Sequence, residues 1–243
     1  MTKVEAIESV LRENGGSANL SVIYHKIPKF YPKAKESKEW EAEIRGVLYR
    51  ELREGQRFKK IGLSIYALKD YRENPLPKPS DKVKMHSFMQ GICLELGNAR
   101  SYLTYTADPS KLYRDNVYLK DIANLKNLPN FTYKEIINET RRIDVLWFNN
   151  AKCAFPQCAF EIVDSVSTLN NAFNRCLQLK AFATKFYIVA PQIHRKKFEQ
   201  NLELEIYRDK KDFFEFVAYD EMLTTYEHFV TSGLKDKRWL FGV

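Results

Sequence analysis

Apolar positions along this chain follow two periods, one helical and one extended. Val4, Ile7, Val10 and Leu11 repeat at the spacing of a helix that buries one face, with Thr2 placed to cap its start and Gly15-Gly16 to end it. A second helix is predicted over Leu20 to Ile27, stopped by Pro28 and Pro32. A third runs from Ser37 to Glu54 with the stripe Trp40, Ile44, Val47, Leu48 and Leu52, and Gly55 breaks it. Phe58 to Leu68 then reads as two short strands around a turn containing Gly62.

The pattern lapses from Asp70 to Lys82, where Pro75, Pro77 and Pro79 stand among polar residues as in a stiff, extended linker. The chain therefore divides into residues 1–70, a linker over 71–82, and 83–243. In the third part, Met85 to Leu96 reads as a helix ended by Gly97, and Tyr102 to Thr106 as a strand. Asn116 to Leu128 is ambiguous, and Phe131 to Glu139 is helical. Two apolar runs follow, Arg142 to Trp147 and Cys158 to Val163, each reading as a buried strand, with a turn at Asn149-Asn150-Ala151-Lys152 between them. Asn170 to Phe182 is an amphipathic helix with Phe173, Leu177 and Ala181 on one face. A strand over Lys185 to Ala190, a helix over Phe198 to Leu204, a strand over Phe214 to Ala218 and a helix over Asp220 to Ser232 complete a mixed α/β order.

Each of the two apolar runs holds one carboxylate, Asp144 in the first and Glu161 in the second. A buried charge costs several kcal/mol unless it is paired or bound to a metal. Neighbouring strands lie roughly 4.8 Å apart, so two inward carboxylates could share a divalent cation. The four histidines, His25, His86, His194 and His228, are scattered without metal-like spacing. Asp108, before Pro109 and Ser110, reads as a turn residue. Cys93, Cys153, Cys158 and Cys176 sit in apolar surroundings and read as small buried hydrophobes rather than a disulfide framework or zinc site.

With 44% apolar residues among 243, a full core is expected. No run approaches the roughly eighteen apolar residues of a membrane span and no signal peptide opens the chain, so a cytoplasmic location away from membranes is expected. The net charge is +8. Its excess is densest in the first 72 residues, where 15 Lys or Arg face 10 Asp or Glu, which points to a polyanion partner.

Three helices followed by a hairpin is the order of a winged helix-turn-helix, in which the third helix enters the major groove and the hairpin touches backbone. Lys38, Arg45, Arg50 and Arg53 on or beside the third helix, and Lys59 and Lys60 on the hairpin, are then the candidate DNA contacts. Trp40 to Leu48, together with Gly62 to Leu68, resembles the winged modules appended to restriction-type nucleases.

From His86 to Ala190 the chain resembles a restriction-endonuclease family of the PD-(D/E)xK superfamily. The matching pieces are His86 through Gly97, with Gln90 and Glu95, then Thr106-Ala107-Asp108, Arg142 to Trp147, Phe160-Glu161-Ile162, Ser165, and Tyr187 to Pro191. The resemblance implies an α/β nuclease core, a mixed sheet flanked by helices, behind a small winged helix. It implies a type II-like restriction endonuclease hydrolysing double-stranded DNA, in which Asp144 and Glu161 hold Mg²⁺ (Mn²⁺ can substitute) and Glu95 completes a second metal site. Arg175 would meet a phosphate. A homodimer, and a cognate DNA methyltransferase in the same system, are the expected partners.

One position departs from that family. Where it carries Lys or Glu, on the same strand face as Glu161, this chain has Val163, which can neither accept a proton nor hold a water. Three outcomes remain open. Another residue, Lys180, Gln178 or Asp164, fills the place; the site cuts slowly with metal-bound water alone; or the domain is a catalytically inactive DNA-binding or regulatory relative.

Overall fold

The computed structural model describes residues 1–75, 77, 81–232 and 241. The chain opens with α1 (Lys3–Glu13), β1 (Ser17–Asn19), α2 (Leu20–Phe30) and α3 (Trp40–Glu54), followed by β2 (Phe58–Lys60) and β3 (Ile65–Leu68). Thr2 and Glu5 form a capping box at the start of α1, Asn19 caps α2, and Gly55 ends α3 in the left-handed conformation at φ 65°. α2 continues two residues past Pro28, which removes only one amide donor from the helix ladder. The three strands form an antiparallel sheet in the order β1-β3-β2. β1, with three residues, is too short for an alternation to be read from sequence. Ile7, Val10, Ile23, Ile27, Ile44, Leu48 and Phe58 form the core of this part.

The second part begins with α4 (Lys82–Ala99) and β4 (Leu103–Thr106), then a small antiparallel pair, β5 (Leu112–Arg114) and β6 (Val117–Tyr118), and α5 (Leu119–Ile122). These last elements resolve the ambiguous stretch after residue 116. There follow α6 (Lys134–Thr140), β7 (Val145–Phe148), β8 (Pro156–Ile162), α7 (Leu169–Cys176), β9 (Lys185–Ala190), α8 (Arg195–Leu202), α9 (Glu205–Arg208), β10 (Phe214–Ala218) and α10 (Tyr219–Ser232). The helix expected over Asn170 to Phe182 is shorter, giving way to a 3-10 turn over Leu177–Phe182. The connection between β7 and β8 is longer than a tight turn, and Cys153 within it is exposed, whereas Cys93, Cys158 and Cys176 are buried.

A five-stranded mixed sheet in the order β10-β9-β8-β7-β4 carries the second part. β8, β9 and β10 are parallel neighbours, and β7 runs antiparallel to both β8 and β4. Phe88, Ile92, Met222 and Phe229 from α4 and α10 cover one face over Val145, Trp147 and Phe160. Phe173, Leu179 and Phe198 cover the other face over Leu146, Ala159, Ile188 and Val163. This is the mixed sheet flanked by helices that the family resemblance implies, built in the mixed α/β order of the residue pattern. Of the expected linker, residues 76 and 78–80 lie outside the described residues. No helix among the described residues is long and apolar enough to cross a membrane.

The two parts share apolar packing, because Ile61, Ile65 and Ala67 of the hairpin belong to the core that holds α4. Glu95 anchors the same junction. It is 1% exposed, and its carboxylate accepts hydrogen bonds from the amides of Leu63 (3.4 Å) and Ser64 (2.8 Å) and the Ser64 hydroxyl (2.8 Å). The Tyr113 hydroxyl donates to it at 3.2 Å, and that of Tyr226 also donates. Gly62 is required here, since a Cβ would lie 2.8 Å from Glu95 Oε2 and 2.9 Å from the Tyr226 hydroxyl. Truncation at Glu95 leaves buried donors unmatched. Glu95→Ala is expected to lose about 3 kcal/mol or more of folding free energy, read as a lower urea midpoint.

Candidate active site

Antiparallel pairing of β7 with β8 ends at Val145 opposite Phe160, so Asp144 and Glu161 are the next step of the same ladder. The Ile162 amide donates to Asp144 Oδ2 at 2.7 Å, which pins the aspartate across the register. Asp144 is 8% exposed and Glu161 fully buried. Each carboxylate has found a cationic partner. Arg175 of α7 forks onto Glu161, its Nε donating to Oε1 at 2.6 Å and a terminal nitrogen donating to Oε2. His86 of α4 places Nε2 3.6 Å from Asp144 Oδ1.

Four further side chains converge on this sheet end. His86 Nδ1 is 2.7 Å from Asp164 Oδ2, and the Tyr219 hydroxyl donates to Asp164 Oδ1 at 2.6 Å. Asp108 arrives from the loop after β4, where the Ala107 amide donates to the Asp144 carbonyl at 3.2 Å. Gln90, one helical turn beyond His86 on the same face of α4, donates from Nε2 to Asp108 Oδ2 at 3.1 Å. His86, Asp108 and Asp144 each offer a ligand atom within 4.8 Å of the other two. An imidazole and two carboxylates at that spacing are a donor set for a divalent cation.

The protonation states follow from burial and these contacts. Burial disfavours charge on His86, but hydrogen bonds to Asp144 and Asp164 outweigh it and raise the imidazole to about 10. Burial pushes the Glu161 carboxyl up to about 8, with Asp144 adding to the rise and the Arg175 pairing working against it. The same pairing raises the Arg175 guanidinium. A cation beside Asp144 would add to the pull of Arg175 and favour ionised Glu161.

Several expected site residues lie elsewhere. Glu95 does not join Asp144 and Glu161: nine residues after His86 on an α-helix is two and a half turns, which puts it on the opposite face of α4, against the hairpin. Lys180 is exposed and its charge acts on Asp209; Gln178 is exposed and donates to the Asn174 carbonyl at 3.3 Å. Val163 lies on the Glu161 face of the sheet, as strand alternation requires, buried among apolar residues with its amide donating to the Val189 carbonyl at 2.9 Å. Arg175, expected at a phosphate, is paired with Glu161. Among the basic residues of the first part, Lys38, Arg50 and Arg53 are exposed. Arg45 donates to the Tyr24 hydroxyl at 2.9 Å, Lys59 pairs with Glu73 at 3.1 Å, and Lys60 is half-buried, which lowers its pKa.

His86 and Asp108 were not singled out by their spacing. Beyond their place in the matching family pieces, the spacing offers one signal, His86 and Gln90 at i and i+4, which aims both at one place.

Residues 70–238 match the family model of the type II restriction enzyme NmeDI C-terminal domain, which makes this a type II restriction enzyme-like protein. The match covers well over half of the sequence, and the chain belongs to that family. No curated protein and no solved structure matches it.

The folded protein keeps the His86 proton up to about pH 10, whereas an unfolded imidazole loses it near its usual value of 6.5. The folded state binds more protons in that window, so this contribution is complete below pH 6.5 and is lost as pH rises toward 10. Glu161 acts in the same direction, but only from its usual value of 4.5 up to about 8. Metal-free wild type is therefore expected to lose on the order of 1–2 kcal/mol more than His86→Gln between about pH 8 and pH 9.5, measured by urea unfolding at both values.

Proposed function

We propose that this protein is a metal-dependent type II restriction endonuclease that hydrolyses double-stranded DNA. The observation that carries the reading is the adjacent pair Asp144 and Glu161 at one end of the mixed sheet, ringed by further donors, in a chain of a restriction-enzyme family. The donor set fits a divalent cation such as Mg²⁺ or Mn²⁺. Asp144 and Asp108 offer carboxylate oxygens, and Glu161 lies beside them. Such an ion, when bound, polarises a phosphoryl oxygen and lowers the pKa of a bound water.

Arg175 answers the departure at Val163. Its guanidinium, held in place by Glu161, supplies the positive charge that the apolar side chain cannot, from the neighbouring helix instead of the strand. There it can offset negative charge that develops on the phosphate. Residues 1–70 act as a winged helix-turn-helix, a reading supported by the order of three helices and a hairpin. Of its candidate contacts, Lys38, Arg50 and Arg53 face solvent and meet DNA; Arg45, Lys59 and Lys60 are engaged within the protein. Cutting both strands requires two active sites, so the working form is a homodimer, and host DNA would be protected by a cognate methyltransferase.

The second reading is a catalytically inactive DNA-binding relative. It is favoured by the Arg175 fork, which occupies both oxygens of Glu161. Digestion of modified and unmodified plasmid and phage DNA with Mg²⁺ or Mn²⁺ separates the two. Cleavage by wild type is expected, with a loss of roughly a thousandfold or more in Asp144→Asn, since several kcal/mol of charge stabilisation depend on the cation. Intact DNA with retained, salt-sensitive binding would instead establish the inactive relative.

A further inference from the structure

Three features of the sheet end go beyond a pair of strand carboxylates. First, His86, Asp108 and Asp144 bring one nitrogen and two oxygen donors within 4.8 Å of one another. Donors on a small divalent ion are about 3 Å apart when adjacent and about 4.2 Å when opposite, so binding draws the three side chains together. Second, the imidazole is oriented. Asp164 holds Nδ1 at 2.7 Å and is itself held by the Tyr219 hydroxyl at 2.6 Å, which leaves Nε2 on the Asp144 side. A histidine that donates one ring N–H to a carboxylate and directs its other nitrogen to an ion is the usual outer-shell arrangement of metal sites. Third, Gln90 is fully buried beside the cluster, its Nε2 on Asp108, while its Oε1 has no hydrogen-bond partner among the described residues. Exchanging the amide atoms would set its oxygen against the Asp108 carboxylate, so the orientation is fixed. A buried unmatched carbonyl costs about 1–3 kcal/mol, and water on a bound ion is a donor that would match it.

We propose that His86, Asp108 and Asp144 form a mixed nitrogen–oxygen cation site, with His86 Nε2 a direct ligand once the ion has displaced its proton to solvent, that takes Mn²⁺ or Co²⁺ in preference to Mg²⁺. Imidazole nitrogen suits transition-metal ions, whereas Mg²⁺ is bound through oxygen and retains its waters. Three protein ligands leave open positions for water and a phosphate oxygen. The proposal rests on the reading of this site as metal-dependent, but it concerns which ion binds and through which atom.

Pulsed electron paramagnetic resonance of Mn²⁺ bound to the full-length protein tests it without any substitution. The echo is expected to carry the modulation of a directly bound ¹⁴N, replaced by that of ¹⁵N when histidine is isotopically labelled. By titration calorimetry, His86→Gln is expected to weaken Mn²⁺ at least tenfold and Mg²⁺ less than threefold. Asp164→Asn, which keeps the ligand but not its support, is expected to weaken Mn²⁺ roughly 10- to 100-fold with the nitrogen modulation retained. Bound Mn²⁺ without nitrogen modulation, or unchanged Mn²⁺ affinity in a folded His86→Gln, overturns the proposal while leaving a metal-dependent nuclease in place. Failure of both ions to bind wild type, with DNA left uncut, overturns the proposal and the proposed function together.

Discussion

Glu161, Asp144 and Glu95 are three of the buried carboxylates of this protein, and the way each is compensated determines how the rest is arranged. Glu161 is fully enclosed and takes a guanidinium. Asp144 takes a backbone amide from the opposing strand and a histidine. Glu95 takes amides and hydroxyls, with no cationic side chain among its hydrogen-bond donors in the described residues. The difference matters, because removing one partner of a buried ionic or hydrogen-bonded group leaves the other uncompensated at several kcal/mol. The Asp144 contact to the Ile162 amide is the most consequential. It exists only in the register that sets Val145 opposite Phe160, and a slip by one residue would turn both carboxylates away from each other.

Much of this was legible in the residue pattern because periodicity reports burial directly. The strands over Val145–Phe148, Pro156–Ile162, Lys185–Ala190 and Phe214–Ala218 stand where apolar runs place them, and the helices α1, α3, α4 and α10 follow their stripes. β1 was not legible, since its three residues owe their strand conformation to β3. Asp144 and Glu161 could be found because a charge inside an apolar run is anomalous by itself.

The residues around them could not be ranked that way. His86 is 58 residues from Asp144 and 78 from Asp164, so spacing along the chain carries no sign of their meeting. Asp108 does take part in a turn, accepting the Lys111 amide on its carbonyl at 3.0 Å, but this occupies its backbone and leaves the carboxylate for the site. Glu95 was misplaced for the opposite reason. Its position on the first core helix suggested the metal site, while the partners that hold it, Leu63 and Ser64, lie across the expected linker where no local pattern connects them.

The location of Glu95 bears on how the two parts of the chain work together. A hairpin whose turn is bound by a buried carboxylate, and whose Ile61 and Ile65 pack in the core of the sheet domain, is not a free appendage. Its two lysines are correspondingly engaged, one with Glu73 and one half-buried. α3 and the residues just before it do present solvent-facing charge, where Arg50, Arg53 and Lys38 stand with the exposed Tyr49. Any polyanion bound there is held in a fixed relation to α4, because α4 carries Glu95 on one face and His86 and Gln90 on the other. One rigid helix thus joins the docking of the basic part to the geometry of the candidate active site. A change at either face of α4 is transmitted through packed side chains and hydrogen bonds rather than through a linker.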